Sequence, residues 1–334
     1  MKRRGGLAIL GVLLGYLMFL LLSAGSVHAA KTLRYAHNNT PTQQAGRFAI
    51  TLADQIKQKT NGEITVQLFP SSQLGNVYEM IDGVKVGTID INHTDFSAYA
   101  RYYDDLAVYN AAYLYRDVDH ALKATSPDHP LMAKMSQQLA ARGAMRILGN
   151  QYYGVRLLTA NIPVKKPDDL RGKKIRAVPI PIYITMIEGM GAIPTPVDFA
   201  ELPTALATGV VDGQENPLST IFHNKFYQMQ KFVMLTNHMI AFNAVVISEK
   251  TWQGLTDLQR NQLTEAAIAT RTISMKETLQ EESELLAKLK GLGMKAVGPE
   301  DGLDVQAFRQ RVLDQTTKKF PQWADYIKQI QEIR

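Results

Sequence analysis

The 334-residue chain contains no cysteine. That excludes disulfides, thiol nucleophiles, thiolate metal sites and a lipid anchor on a leader cysteine, so stability in an oxidising compartment must come from the core alone. The histidines beyond the N-terminal segment (37, 93, 120, 129, 223 and 238) show no HExxH or paired spacing, and no metal site is expected. There is no GxSxG and no phosphate-binding loop. Gly189-Met190-Gly191 begins something like a dinucleotide fingerprint, but Pro194 replaces the third glycine and a helical pattern precedes it, so no cofactor is expected. No run of Lys and Arg interleaves with aromatics, which leaves nucleic-acid binding without support. Beyond the N-terminus no stretch is long and apolar enough to span a bilayer.

What is present begins with an export signal. Lys2, Arg3 and Arg4 form a basic start, Leu7 to Leu22 is an apolar run, and Val27-His28-Ala29 offers small residues at a cleavage position. Residues 1–30 therefore read as a signal peptide cleaved near Ala29/Ala30, the alternative being an uncleaved membrane anchor. Half of the formal charge of +6 is this segment: three of the 37 Lys and Arg lie in it and none of the 31 acids, which leaves about +3. The remainder, about 305 residues, is long enough to bury the cores of two domains.

Two stretches look like versions of one βαβαβ unit. The first has strands at 31–37, 63–69 and 88–92 around helices at about 42–60 and 76–86. Phe48, Leu52 and Ile56 recur every four residues in its first helix, and Ile64, Val66 and Leu68 alternate in its second strand. The second has strands at 173–179, 193–197 and 210–216 around helices at 182–190 and 199–208. KTLRYA (31–36) parallels KKIRAV (173–178), placing Arg34 opposite Arg176, and VGTID (86–90) parallels TGVVD (208–212). Two such units with right-handed crossovers build two parallel-sheet lobes, whose ligands sit beyond the carboxyl ends of the strands. From Asp257 to Lys290 there is neither Gly nor Pro, Thr256 with Gln259 forms a capping box, and Gly291 and Gly293 stop the run. One helix of roughly 50 Å, long enough to run along both lobes, is expected there, two shorter helices being the alternative. The tail from Val305 to Arg334 reads as helix broken at Pro321.

The candidate site gathers at the strand ends. Arg176 is a fixed planar cation with Asn216 after the third strand of its unit, and a guanidinium beside an amide is the natural grip for a carboxylate. Arg156, upstream in NQYYGVRLLT, is a second cation. Asn216 also suits the cap of a helix starting at Pro217. Asp95, with His37 and Asn38, closes the opposite lobe, although Asp95 could simply cap the helix that follows. Phe199 is either a floor for the ligand or a core residue. This constellation, on an exported chain without catalytic motifs, points to a receptor for a small organic acid.

FPSSQLG (69–75), DLRGKKIRAVP (169–179), GAIPTPVDFAEL (191–202), ATGVVDGQENPLSTI (207–221), KFYQMQKFV (225–233) and LTNH (235–238) are long and collinear. In them the chain resembles the periplasmic solute-binding component of tripartite ATP-independent periplasmic (TRAP) transporters, the dicarboxylate/sialic-acid receptor family. The resemblance implies an α/β, two-lobed, periplasmic-binding-protein-like (type II) fold. Two parallel-core sheets would be flanked by helices, with hinge strands and one long helix spanning both lobes. Residues 31–152 plus about 241–275 would form lobe I, and 153–240 plus about 276–334 lobe II. It implies a periplasmic receptor, not an enzyme, monomeric, that closes on a small carboxylate and delivers it to the small and large membrane subunits of the transporter. Arg176 would make the main salt bridge and Asn216 would orient the same carboxylate. Arg156 would add a second cation, Phe199 would pack on the ligand, and Asn38 and Asp95 would reach it from lobe I. Sialic-acid receptors carry acids where this chain has Val77 and Glu where it has Asp95, so a smaller mono- or dicarboxylate or a sugar acid fits better. A sensory receptor docking on a signalling membrane protein, and an enzyme on the same scaffold, are the alternatives.

Overall fold

The structure, a computed structural model, describes residues 30–334, and all of the expected signal peptide except Ala30 lies outside them. Among the described residues nine strands form: β1 (Lys31–Ala36), β2 (Ile64–Phe69), β3 (Ile91–Asp95), β4 (Met145–Ala160), β5 (Lys174–Ala177), β6 (Ile193–Pro196), β7 (Gly213–Pro217), β8 (Phe232–Ser248) and β9 (Lys295–Val297). β1 pairs in parallel with β2 and β3, and β5 with β6 and β7. The two parallel cores are joined into one mixed sheet in the order β2-β1-β3-β8-β4-β7-β5-β6, with β9 also on β8. The joint is made by β4 and β8, long antiparallel strands whose opposite halves serve opposite lobes. They are the expected hinge strands. At their crossing β4 bulges, and Gly154 stands at φ 121°, a conformation open to glycine. An added Cβ would come within 2.7 Å of Glu282 Oε1 and 2.9 Å of Pro217.

Each unit follows its sequence pattern, with one shift. Phe48, Leu52 and Ile56 are buried on one face of the helix Gln44–Lys59. The third strand of each unit, however, starts later than expected. The helix Val77–Val86 ends at a left-handed Gly87, and Thr88 and Ile89 both donate back to the Gly83 carbonyl, so strand pairing begins only at Ile91. Asp90 sits in this turn, and its carboxylate accepts the Arg34 amide at 2.7 Å. Asp212 repeats the device on the Lys174 amide at 2.8 Å. The unit is therefore duplicated, but the equivalence is corrected by two residues: Lys174 matches Arg34, and Arg176 matches Ala36. Arg176 thus stands nearer the strand's carboxyl end than the sequence pairing placed it.

The long helix runs unbroken over Asp257–Gly291, 35 residues or roughly 52 Å. The Thr256–Gln259 capping box is formed in both directions at 3.2 Å. Leu263, Ala266 and Ala267 pack with the β1–β3 core, while Leu285 and Leu289 pack with the core beneath β7. Between them Glu281 accepts from Arg47 (2.6 Å), beyond β1, and from His223 (2.8 Å), beyond β7, which ties both lobes to the helix. After the helix Val305–Lys319, Pro321 breaks the chain as expected, and the last helix, Ala324–Gln331, follows. The chain end docks on the first lobe rather than the second, since Arg116 donates to the carbonyls of Gln331 and Ile333 at 2.6 and 2.7 Å.

Candidate functional site

The carboxyl ends of β3, β5 and β7 meet over a cavity of about 50 Å³ between the lobes. Its walls come from Asn38, Asn39, Thr94 and Asp95 on one side and Arg156, Arg176, Phe199 and Asn216 on the other, with Tyr153 and Asn243 from the hinge strands. Two hydrogen bonds close the lobes over it: Tyr183 donates to Asp95 Oδ1 at 2.6 Å, and Tyr78 donates to the Pro179 carbonyl at 3.1 Å.

Arg176 is 2% exposed. Its one protein hydrogen bond runs from Nε to the Val197 carbonyl at 2.9 Å, and among the described residues no acid stands within ion-pair distance of it. Burial, and the like charge of Arg156, pull its pKa down to about 10 against the opposing pull of Glu215. A buried cation without a counter-ion is costly unless something supplies the negative charge.

Arg156 is different. Its Nε and Nη2 grip the Glu215 carboxylate at 2.5 and 2.8 Å, and its guanidinium lies 5.1 Å above the Tyr183 ring. Burial opposes its charge, but Glu215 more than offsets this and holds the pKa well above the ordinary value. Glu215 is fully buried, and although burial would raise its pKa, Arg156 and His238 hold it at about 2. His238 Nε2 lies 3.0 Å from the carboxylate, and burial lowers the pKa of this imidazole against the opposing pull of Glu215. Arg156 therefore lines the cavity, but as a neutralised cation.

The capping alternatives do not form. Asp95 makes no side-chain cap, and burial raises its pKa against Arg156 and the Tyr183 hydrogen bond. The helix after Asn216 begins at Leu218, and the Asn216 amide donates instead to Gln214 Oε1 at 2.6 Å. Phe199 is half-buried, with one face on the C-lobe core and one on the cavity. His37 is the correction: it does not line the cavity. It is buried behind it, stacked on His93 at 4.8 Å, and burial lowers its pKa to about 4. The sequence reading missed Glu215, His238, Tyr183 and the hinge pair Tyr153 and Asn243. Glu215 had a signal: an acid inside the VDGQENP strand had to find a cation once that strand was buried. Among the described residues no group of three or more His, Asp or Glu could hold a metal ion, and no helix is long and apolar enough to cross a membrane.

Residues 35–321 match the family model described as bacterial extracellular solute-binding protein, family 7. The chain is 31% identical to the 2,3-diketo-L-gulonate-binding periplasmic protein of Escherichia coli, over 92% of this chain and 93% of that protein. It is likewise 31% identical to the sialic acid-binding periplasmic protein of Vibrio cholerae, over 87% of this chain and 88% of the relative. Among solved structures, the TRAP periplasmic solute-binding protein of Actinobacillus succinogenes with bound L-galactonate superposes with a TM-score of 0.85. Its identity is 30%, covering 90% of this chain and 98% of that one.

Proposed function

The chain belongs to bacterial extracellular solute-binding protein family 7, and on that premise we propose that Arg176 anchors the carboxylate of its ligand. The protein is a TRAP-type solute-binding receptor that captures a small organic acid between two lobes for delivery to a secondary transporter. The observation that carries the site is the state of Arg176: a guanidinium buried in the interlobe cavity, paired with no acid among the described residues. A bound carboxylate supplies that missing charge through two parallel N–H···O bonds.

In the open form the uncompensated guanidinium of Arg176 draws the anion in. As the lobes close, Tyr183 reaches Asp95 and Tyr78 reaches Pro179, water leaves, and the ion pair strengthens in the lower dielectric. Arg156, neutralised by Glu215, stiffens the wall and has only Nη1 left to offer the ligand. Phe199 covers the apolar part of the acid. The small cavity and the apolar Val77 on its wall favour an acid smaller than sialic acid. Export through the leader 1–30 to the periplasm, where its relatives reside, and docking of the closed monomer on the membrane subunits complete the reading.

The test is a thermal-shift screen of the mature protein against small organic acids and neutral sugars. An acid at about 100 times its Kd should stabilise by roughly 2.7 kcal/mol, or about 4 °C for a chain of this size. A protein that responds to neutral sugars and to no acid would rule the receptor reading out.

A further inference from the structure

We infer that the cavity is built for a hydroxylated monocarboxylate and rejects dicarboxylates, with Asp95 as the residue that sets the discrimination. This rests on the receptor reading above and narrows its ligand.

The first argument is the arrangement of charge. Two cations and three acids surround the cavity: Arg156 and Arg176 against Glu215, Asp95 and Asp198. Glu215 is taken up by Arg156 in a two-pronged pair. That leaves Arg176 as the one lining cation without an acid partner among the described residues, enough for one carboxylate. A second carboxylate on the same ligand finds no uncompensated cation, since Arg156 is already neutralised by Glu215, and stands among Asp95 and Asp198, whose like charge disfavours it.

The second argument is the orientation of the neutral groups. Two side-chain relays, each fixed by a backbone carbonyl, orient the amides that end them. In the first, Gln44 donates to the Tyr152 carbonyl, Gln151 donates to Gln44 Oε1, and Asn243 donates to Gln151 Oε1. In the second, Gln230 donates to the Met229 carbonyl, Thr159 donates to Gln230 Oε1, Gln214 donates to Thr159, and Asn216 donates to Gln214 Oε1. Both relays end at the cavity wall with an amide oxygen, Oδ1 of Asn243 and Oδ1 of Asn216, that has no protein partner among the described residues. Asp95 adds Oδ2, since only its Oδ1 is engaged, by Tyr183. Three acceptor atoms at the wall call for donors. Hydroxyl groups donate, whereas an ionised carboxylate only accepts. A ligand with one carboxylate for Arg176 and several hydroxyls for these oxygens satisfies all three acceptors; a second carboxylate placed against them leaves acceptors facing acceptors.

The experiment is calorimetry at neutral pH on carbon-matched pairs drawn from the screen, such as D-erythronate against meso-tartrate and D-gluconate against D-glucarate. The tightest ligand should be a hydroxylated monocarboxylate, bound on the order of a hundredfold more tightly than its dicarboxylate partner, the size of one like-charge contact in a semi-buried site. Asp95→Asn keeps an oxygen for the Tyr183 hydroxyl and removes the charge, so it should narrow that ratio at least about tenfold by improving the dicarboxylate. A dicarboxylate as tightest ligand, or a ratio unchanged in Asp95→Asn, overturns the inference. If both members of a pair bind alike and Arg176→Ala loses both, the discrimination fails while the receptor reading stands. If no acid binds at all, both fail together.

Discussion

Replacing Arg176 by methionine separates two effects that carry opposite signs. In the free protein this guanidinium is buried with a single hydrogen bond, to the Val197 carbonyl, and no acid partner among the described residues. Its pKa falls from the ordinary 12.5 to about 10, first because of burial and then because of Arg156, with Glu215 opposing. At 1.36 kcal/mol per pKa unit, the charged group destabilises the fold by on the order of 3 kcal/mol. The sign follows from linkage: the folded value lies below the unfolded one, so the unfolded chain holds the proton more tightly. The penalty is full at every pH below about 10. Methionine is neutral, unbranched and of similar reach. It removes the penalty but leaves the Val197 carbonyl without its donor, which costs about 1–3 kcal/mol. The free variant should therefore be at least as stable as the parent, with a Tm equal to it or higher by roughly 1–3 °C. Ligand affinity should fall by about two to three orders of magnitude, because a buried charge pair loses one partner. Urea denaturation of the free protein and calorimetry with the best acid from the screen measure the two sides. A variant that unfolds more than about 1 kcal/mol below the parent yet keeps its affinity would refute the reasoning, since the guanidinium would then be holding the fold.

Glu215→Gln should act in the reverse way. It strips the partner from a 2%-exposed Arg156, and denaturant unfolding should show a loss of about 3–5 kcal/mol. Tyr183→Phe keeps the ring under Arg156 but removes the hydroxyl that reaches Asp95 across the cleft. Calorimetry should find affinity lower by roughly ten- to a hundredfold, the worth of one hydrogen bond to a charged group. Glu215 and Glu281 are both held at about 2, below the ordinary glutamate value of 4.5. Their stabilisation is complete above about 4.5 and is lost as pH falls from there towards 2. Stability followed by denaturation against pH should drop across that window, and Glu281→Gln should flatten the drop.

The elements were largely legible because each rests on local pattern. The four-residue spacing of Phe48, Leu52 and Ile56 and the Thr256 capping box needed no partner to be read, and the 35-residue helix followed from the lack of any breaker. The strand starts after Gly87 and Gly209 were misplaced because a helix-ending turn and a strand look alike in a short β-branched run. Only the Asp90 and Asp212 contacts mark where pairing begins. His37 was misassigned because it follows the first strand and precedes a lining residue, while its ring turns back onto His93.

Residue order alone settled the duplicated unit, the spanning helix and the presence of Arg176 at a strand end, because these depend on spacing within short segments. It could not say which of two arginines would be left unpaired. Arg156 and Glu215 are far apart along the chain and meet only because β4 and β7 pair antiparallel. That meeting cancels one cation and leaves the other buried and uncompensated. Charge in a closed cleft is decided by which side chains share it, and that is a property of the folded sheet.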